Sequence, residues 1–82
     1  MIIIKGMIVS QPQLWDGDLV FTLECRGRVL TVHRQQPEEQ KKDIVFLCVG
    51  MQVLLWGDPR QDQVIAHKVR ILDCTHRNYI KE

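Results

Sequence analysis

Apolar and polar residues alternate with a period of two through most of the chain. The pattern is cleanest from Gly50 to Gly57. Met51, Val53 and Leu55 fall on one face there, and Gln52, Leu54 and Trp56 on the other. A polar stretch, Asp58-Pro-Arg-Gln-Asp-Gln63, leads into a second run of similar length, Val64–Leu72. Such runs, bounded by Gly and Pro, predict two antiparallel strands joined by a hairpin loop. Upstream, Ile2–Ser10 predicts a first strand. Ile2, Ile4, Gly6 and Ile8 share one face, and Ile3, Lys5, Met7 and Val9 the other. Gly6 predicts a bulge or bend, because a glycine inside a strand usually marks one. A loop over Gln11–Asp18 follows.

The second and third strands are predicted at Leu19–Cys25 and Arg28–Gln35, with Arg26-Gly27 as a tight turn between them. Setting Cys25 opposite Arg28 places Leu23 opposite Leu30 and Phe21 opposite Val32. These four apolar residues then share a face, and a one-residue slip destroys the agreement. Val20, Thr22, Glu24, Val29, Thr31 and His33 fall on the other side. Leu23, Leu30, Val32, Val53 and Leu55 form the expected core.

Pro37-Glu-Glu-Gln-Lys-Lys42 has the form of a helix opening, with Pro in the first turn and acids near the positive end of the dipole. Ile44, Leu47 and Cys48 continue at helical spacing, and Gly50 is placed to end the helix. A short helix is therefore expected between strands three and four. Ile44–Val49 is also rich in β-branched and aromatic residues, so a buried strand there is the alternative.

Eighty-two residues predict a single domain, with strands over about 2–72 and a polar tail at 73–82 that frays or docks. A chain of this size buries only roughly 60–65% of its unfolded surface, so each inward side chain counts. The net charge of +1 argues against a protein that holds nucleic acid by bulk charge, and leaves room for a local basic strip. Cys25, Cys48 and Cys74 are odd in number and lack a CxxC spacing. They read as free thiols in a reducing cytoplasm rather than a disulfide framework. Met1–Ile4 is broken at once by Lys5, and no run approaches the ~18 apolar residues of a spanning helix.

Three strands, a helix and two strands is the order of the oligonucleotide/oligosaccharide-binding (OB) fold. Ile4-Lys-Gly-Met-Ile-Val-Ser-Gln-Pro12 resembles the first strand of bacterial single-stranded-DNA-binding proteins and their primosomal relatives. Leu47-Cys-Val-Gly-Met-Gln-Val-Leu-Leu-Trp-Gly57 resembles their helix end and fourth strand. The resemblance implies an all-β, five-stranded Greek-key barrel. It also implies non-catalytic binding of single-stranded nucleic acid, DNA before RNA, in a DNA-replication setting. The family carries stacking aromatics on the outer face of strands two and three, and this chain has none there.

Trp15, in the first loop, either stacks on a base or plugs the barrel end. Trp56, leading into the second loop, stacks on a base, sits in a protein interface or packs locally. His33 is a further stacking candidate. Arg26, Arg28, Arg34, Lys68 and Arg70 lie in strands two, three and five, and Lys5 and Arg60 would extend the set. They form either a strip that tracks phosphates or an ordinary solvated face. Ile3, Met7 and Val9 on strand one and Leu54 and Trp56 on strand four form an outer apolar patch. Unless the helix or tail covers it, the patch predicts a homo-oligomer, dimer or larger, or a protein-interaction module. His33, His67, His76 and Cys74-Thr-His76 supply one close pair where a structural zinc needs four ligands, so no metal or other cofactor is expected. Neither Asp16 with Asp18 nor Asp58 with Asp62 comes with a nucleophile, a base or a phosphate cradle, and no enzyme is expected.

Overall fold

The computed structural model describes residues 1–35 and 47–74. They form β1 (Ile2–Ile8), β2 (Gln13–Trp15), β3 (Asp18–Cys25), β4 (Arg28–Gln35), β5 (Met51–Arg60) and β6 (Gln63–Cys74). The five predicted strands are β1, β3, β4, β5 and β6. They close into a barrel in the order β1-β5-β6-β4-β3, with β3 returning to β1. All barrel neighbours are antiparallel except β4 and β6, which run parallel. This is the five-stranded Greek-key barrel of the OB fold. The helix predicted from Pro37 lies outside the described residues, apart from its expected end. There Leu47 and Cys48 pack against the core, and Gly50 adopts a φ of 96° while its N–H donates to the Ile8 carbonyl at 2.9 Å.

The β3–β4 pair takes the predicted register, with Cys25 opposite Arg28, Leu23 opposite Leu30 and Phe21 opposite Val32. The inward faces supply Ile4, Ile8, Leu19, Phe21, Leu23, Val32, Met51, Val53, Leu55, Val64 and Ala66, all buried. Leu30, expected in the core, is only partly buried and packs against it, because it stands close to the hairpin end of the pair.

Two predicted loops are shorter than the sequence suggested. Gln13–Trp15 pairs back on β3, so most of the first loop is a hairpin. Its turn, Asp16-Gly17, has φ of 55° and 86°, the two left-handed residues that a type I′ turn requires. The expected six-residue loop at Asp58–Gln63 is a two-residue turn at Gln61-Asp62, since β5 runs on to Arg60. Pro59 is tolerated in that extension. Beyond the Ile2–Gly57 pair β5 has only β6 as a paired neighbour among the described residues, and one edge of the strand needs no donor. At the other margin β1 ends at Ile8 rather than Ser10. Val9 N still donates to the Thr22 carbonyl, and Thr22 N to Ser10 Oγ, so the chain continues to follow β3.

Gly6 sits where β1 crosses onto β3. A Cβ there would stand 2.5 Å from the Glu24 carbonyl oxygen and 2.8 Å from Leu23 Cγ. Gly57 meets β6 in the same way, 2.5 Å from the Ile65 carbonyl oxygen. The barrel is small enough that its backbones touch at both points, and only glycine fits.

Candidate nucleic-acid interface

Strands β1, β5 and β6 are adjacent, so their outward side chains form rows across the barrel. Ile3, Trp56 and Lys68 make one row, and Lys5, Leu54 and Arg70 the next. Met7 lies opposite Gln52 on β5 and opposite Glu24 on β3. The Lys68 ammonium stands 4.9 Å from the centre of the Trp56 ring, a cation–π contact. Beside these rows runs an open groove of about 730 Å³. Its lining includes the apolar Ile3, Met7 and Leu54 together with Lys5, Arg26 and Glu24.

Arg26 reaches the groove from the β3–β4 turn. It has a φ of 55°, followed by Gly27 at 82°. A left-handed conformation costs a non-glycine residue about 1–2 kcal/mol, and Asn, Asp or Gly is the usual occupant of this turn position. The fold therefore holds a long cation at a place where a short polar residue is cheaper.

The predicted basic residues do not form one strip. Lys68 and Arg70, with Lys5 and Arg26, gather around the β1–β5 face. Arg28 pairs with Asp62 at 3.7 Å, an exposed contact of little energetic weight. Arg34 is in phase with Val32 and opposite Leu19, so it lies on the inward side near one end of the barrel. Partial burial pushes its guanidinium below the ordinary value, because desolvation disfavours the charge. Arg60 closes β5 opposite Gln63, beside the short turn.

The stacking candidates also separate. Trp15 is 71% exposed, so it does not plug the barrel. It lies opposite Asp18, on the face that carries Gln13, Val20 and the half-buried His33. Trp56 belongs to the β1–β5 face, half-buried beneath Lys68. The Gln61-Asp62 turn folds onto β4, where Thr31 N donates to the Asp62 carbonyl at 3.0 Å.

The apolar patch is assembled in part. Ile3 is 61% exposed and lies directly opposite Trp56, with Leu54 and Met7 in the neighbouring rows. Val9 is exposed but lies beyond β1, beside Thr22 of β3.

The candidate acids part company as well. Asp58 Oδ2 accepts from His67 Nε2 at 2.9 Å, and that bond holds its carboxyl below the usual range. His67 is thrown outward by a bulge, where Trp56 pairs with Lys68 but Gly57 with Ala66. Asp62 is taken by Arg28, Asp16 is the first residue of the β2–β3 turn, and Asp18 opens β3. Among the described residues no three His, Cys, Asp or Glu side chains gather as a metal site, and His76 lies outside them. No helix among them is long and apolar enough to cross a membrane.

Glu24 and Gln52 also line the groove, and neither was a candidate site residue from the sequence; Glu24 stood out there only as the acid among the basic residues of its strands. Alternation placed it outward. Only the barrel-closing contact of β1 with β3, which joins residues far apart in the chain, brings it beside Met7 and Lys5.

The fold thus defines an OB-type barrel with a mixed cationic and apolar groove. No family model and no curated protein sequence matches the chain. Among solved structures it is similar to TiaS, a tRNA(Ile2) agmatidine synthetase. In the apo form the TM-score is 0.76 at 17% identity, over 89% of this chain and 18% of that one. TiaS in complex with tRNA(Ile2), AMPCPP and agmatine gives 0.76 at 17% identity, over 89% and 19%. A ZRD-deleted mutant with agmatine gives 0.75 at 18% identity, over 88% and 21%. The chain spans about a fifth of each of these proteins, and at this identity the likeness shows the fold alone.

Proposed function

We propose that this barrel binds single-stranded nucleic acid along the outer face of β1, β5 and β6, with DNA the first strand to test and RNA the second. The observation that carries the reading is the grouping of Lys5, Arg26, Lys68 and Arg70 around an apolar floor that includes Trp56. Cations hold the phosphates, and an apolar and aromatic floor takes unpaired bases of any sequence. A duplex hides those base faces, so it binds less well. TiaS, whose barrel this one resembles, has been solved with tRNA, which supports nucleic acid as the ligand class. The proposed role is binding without catalysis.

Fluorescence anisotropy with labelled oligo-dT and oligo-U at two salt concentrations tests it. For single strands the log–log salt slope is about −0.7 per phosphate neutralised. Changing Lys5 and Arg70 to Ala together flattens the slope by about 1.4, twice that amount. Changing Arg28 or Arg34 leaves it nearly unchanged. Absence of binding to either strand at ~50 mM salt, where counterion release favours it strongly, sinks the proposal.

The exposure of Ile3 beside Trp56 favours a second reading, in which the same face pairs two copies of the chain. Sedimentation then shows a mass above the monomer's, and Ile3→Glu returns it to the monomer.

A further inference from the structure

We propose that Glu24 selects the base, so that the groove prefers a nucleobase with a donor edge, guanine above all, over thymine or uracil. The inference rests on the single-strand reading and adds a specificity to it. Glu24 lines the groove with Lys5 and Arg26, and in register it lies between Met7 of β1 and Val29 of β4. Its side chain is exposed. It makes no hydrogen bond or ion pair to another described residue, although two cations share the groove with it.

An ionised carboxylate is an acceptor only. In a groove that holds a polyanion it repels phosphate and weakens binding, unless the ligand brings donors to it. Guanine presents N1–H and N2–H₂ side by side, one for each carboxylate oxygen. Adenine and cytosine offer a single exocyclic amine. Thymine and uracil offer one N–H flanked by two carbonyl oxygens, which face the carboxylate unfavourably. Met7 and Leu54 give the base an apolar seat, and Lys5 and Arg26 stand where the neighbouring phosphates would lie. At about 730 Å³ the groove falls within the ~300–1,000 Å³ of small-molecule pockets, room for one nucleotide at a time.

The test uses the full chain and labelled oligo-dT strands that carry one central guanine, inosine, cytosine or thymine, read by anisotropy at low salt. The guanine strand is expected to bind about five- to tenfold more tightly than the all-thymine strand, within the range of a bidentate base contact. Inosine, which lacks the N2 amine, falls between. Glu24→Gln, at an exposed position and checked by an unchanged melting temperature, erases the guanine step and does not weaken binding to oligo-dT. Equal affinity for all four strands overturns the inference and leaves the single-strand reading standing. A guanine preference that survives in Glu24→Gln overturns it too. Failure of every strand to bind overturns the single-strand reading, and this inference with it.

Discussion

Gly6→Ala probes how tightly the barrel is closed. The added methyl carbon lies 2.5 Å from the Glu24 carbonyl oxygen, and ordinary contact begins near 3.4 Å. The strands must therefore separate by about 0.9 Å at this point. The Leu23 side chain, at 2.8 Å, can change its rotamer only against the core, since Leu23 is fully buried. The carbonyl oxygen belongs to the backbone and cannot move alone. The β1–β3 seam is short, with two register pairs, Met7–Glu24 and Ile8–Leu23, continued only by the bonds of Val9 and Ser10 to Thr22 among the described residues, so a shift of this size strains it. Overpacking of this kind costs about 1–3 kcal/mol. A domain of this length has roughly 4–12 kcal/mol of stability in all, at 0.05–0.15 per residue. With about 4–8 °C of Tm for each kcal/mol, the expected loss is roughly 8–16 °C for a 2 kcal/mol cost. Thermal unfolding by circular dichroism measures it. Gly17→Ala is the control: its φ is 86°, but nothing lies within 4 Å of the new methyl, so it carries backbone strain without a clash. A Gly6→Ala protein that melts within about 2 °C of the parent, or no lower than Gly17→Ala, refutes the close contact at this seam.

Other outcomes follow from the same structure. Leu23→Ala, at a side chain with no exposure, is expected to cost about 2–5 kcal/mol, measured by urea unfolding; a midpoint unchanged from the parent contradicts the β3–β4 register. The carboxyl of Asp58 is held below its unfolded value by His67, so its contribution is present above the ordinary carboxylate range and is lost as pH falls through the lowered folded value. Melting temperature is thus expected to drop on acidification below about pH 4, and Asp58→Asn should flatten that limb. If a base displaces Lys68 from Trp56, Trp56 emission in a Trp15→Phe background changes on saturation with oligo-dT. Lys68→Ala keeps that change while flattening the salt slope by about 0.7; constant emission at saturation places the strand elsewhere.

The barrel was legible because its strands are half-buried. Period-two alternation fixes which side of β3 and β4 faces the core, and the Arg26-Gly27 turn fixes their register, so Phe21, Leu23 and Val32 follow from the sequence. Alternation also put Ile3, Leu54 and Trp56 outward. The lengths of β2 and β5 were harder to read. Asp58, Pro59 and Arg60 look like loop residues, and strand propensity yields where a neighbouring strand supplies the pairing. The basic set was readable as a list of residues and not as a surface. Arg34 shares its phase with Val32, so counting charges per strand gave it to the wrong side. Glu24 needed the β1–β3 closure, and no local pattern announces a contact between residues so far apart in the chain.

The near-neutral composition changes meaning once the charges have positions. The β1–β5–β6 face and the adjoining end of β3 carry Lys5, Arg26, Lys68 and Arg70 against Glu24, a local charge of +3 from four cations and one acid, within a chain whose total is +1. At physiological salt the Debye length is about 8 Å. A distant strand therefore feels almost nothing, and one lying on the face feels the full cluster. Association is then expected near the unsteered rate of about 10⁵–10⁶ M⁻¹s⁻¹, with affinity set by how slowly the strand leaves. Loss of a cation acts on departure more than on arrival. A single carboxylate can therefore matter at this site. Against four cations Glu24 removes about a quarter of the local charge, so it weakens every strand alike unless a base repays it with donors.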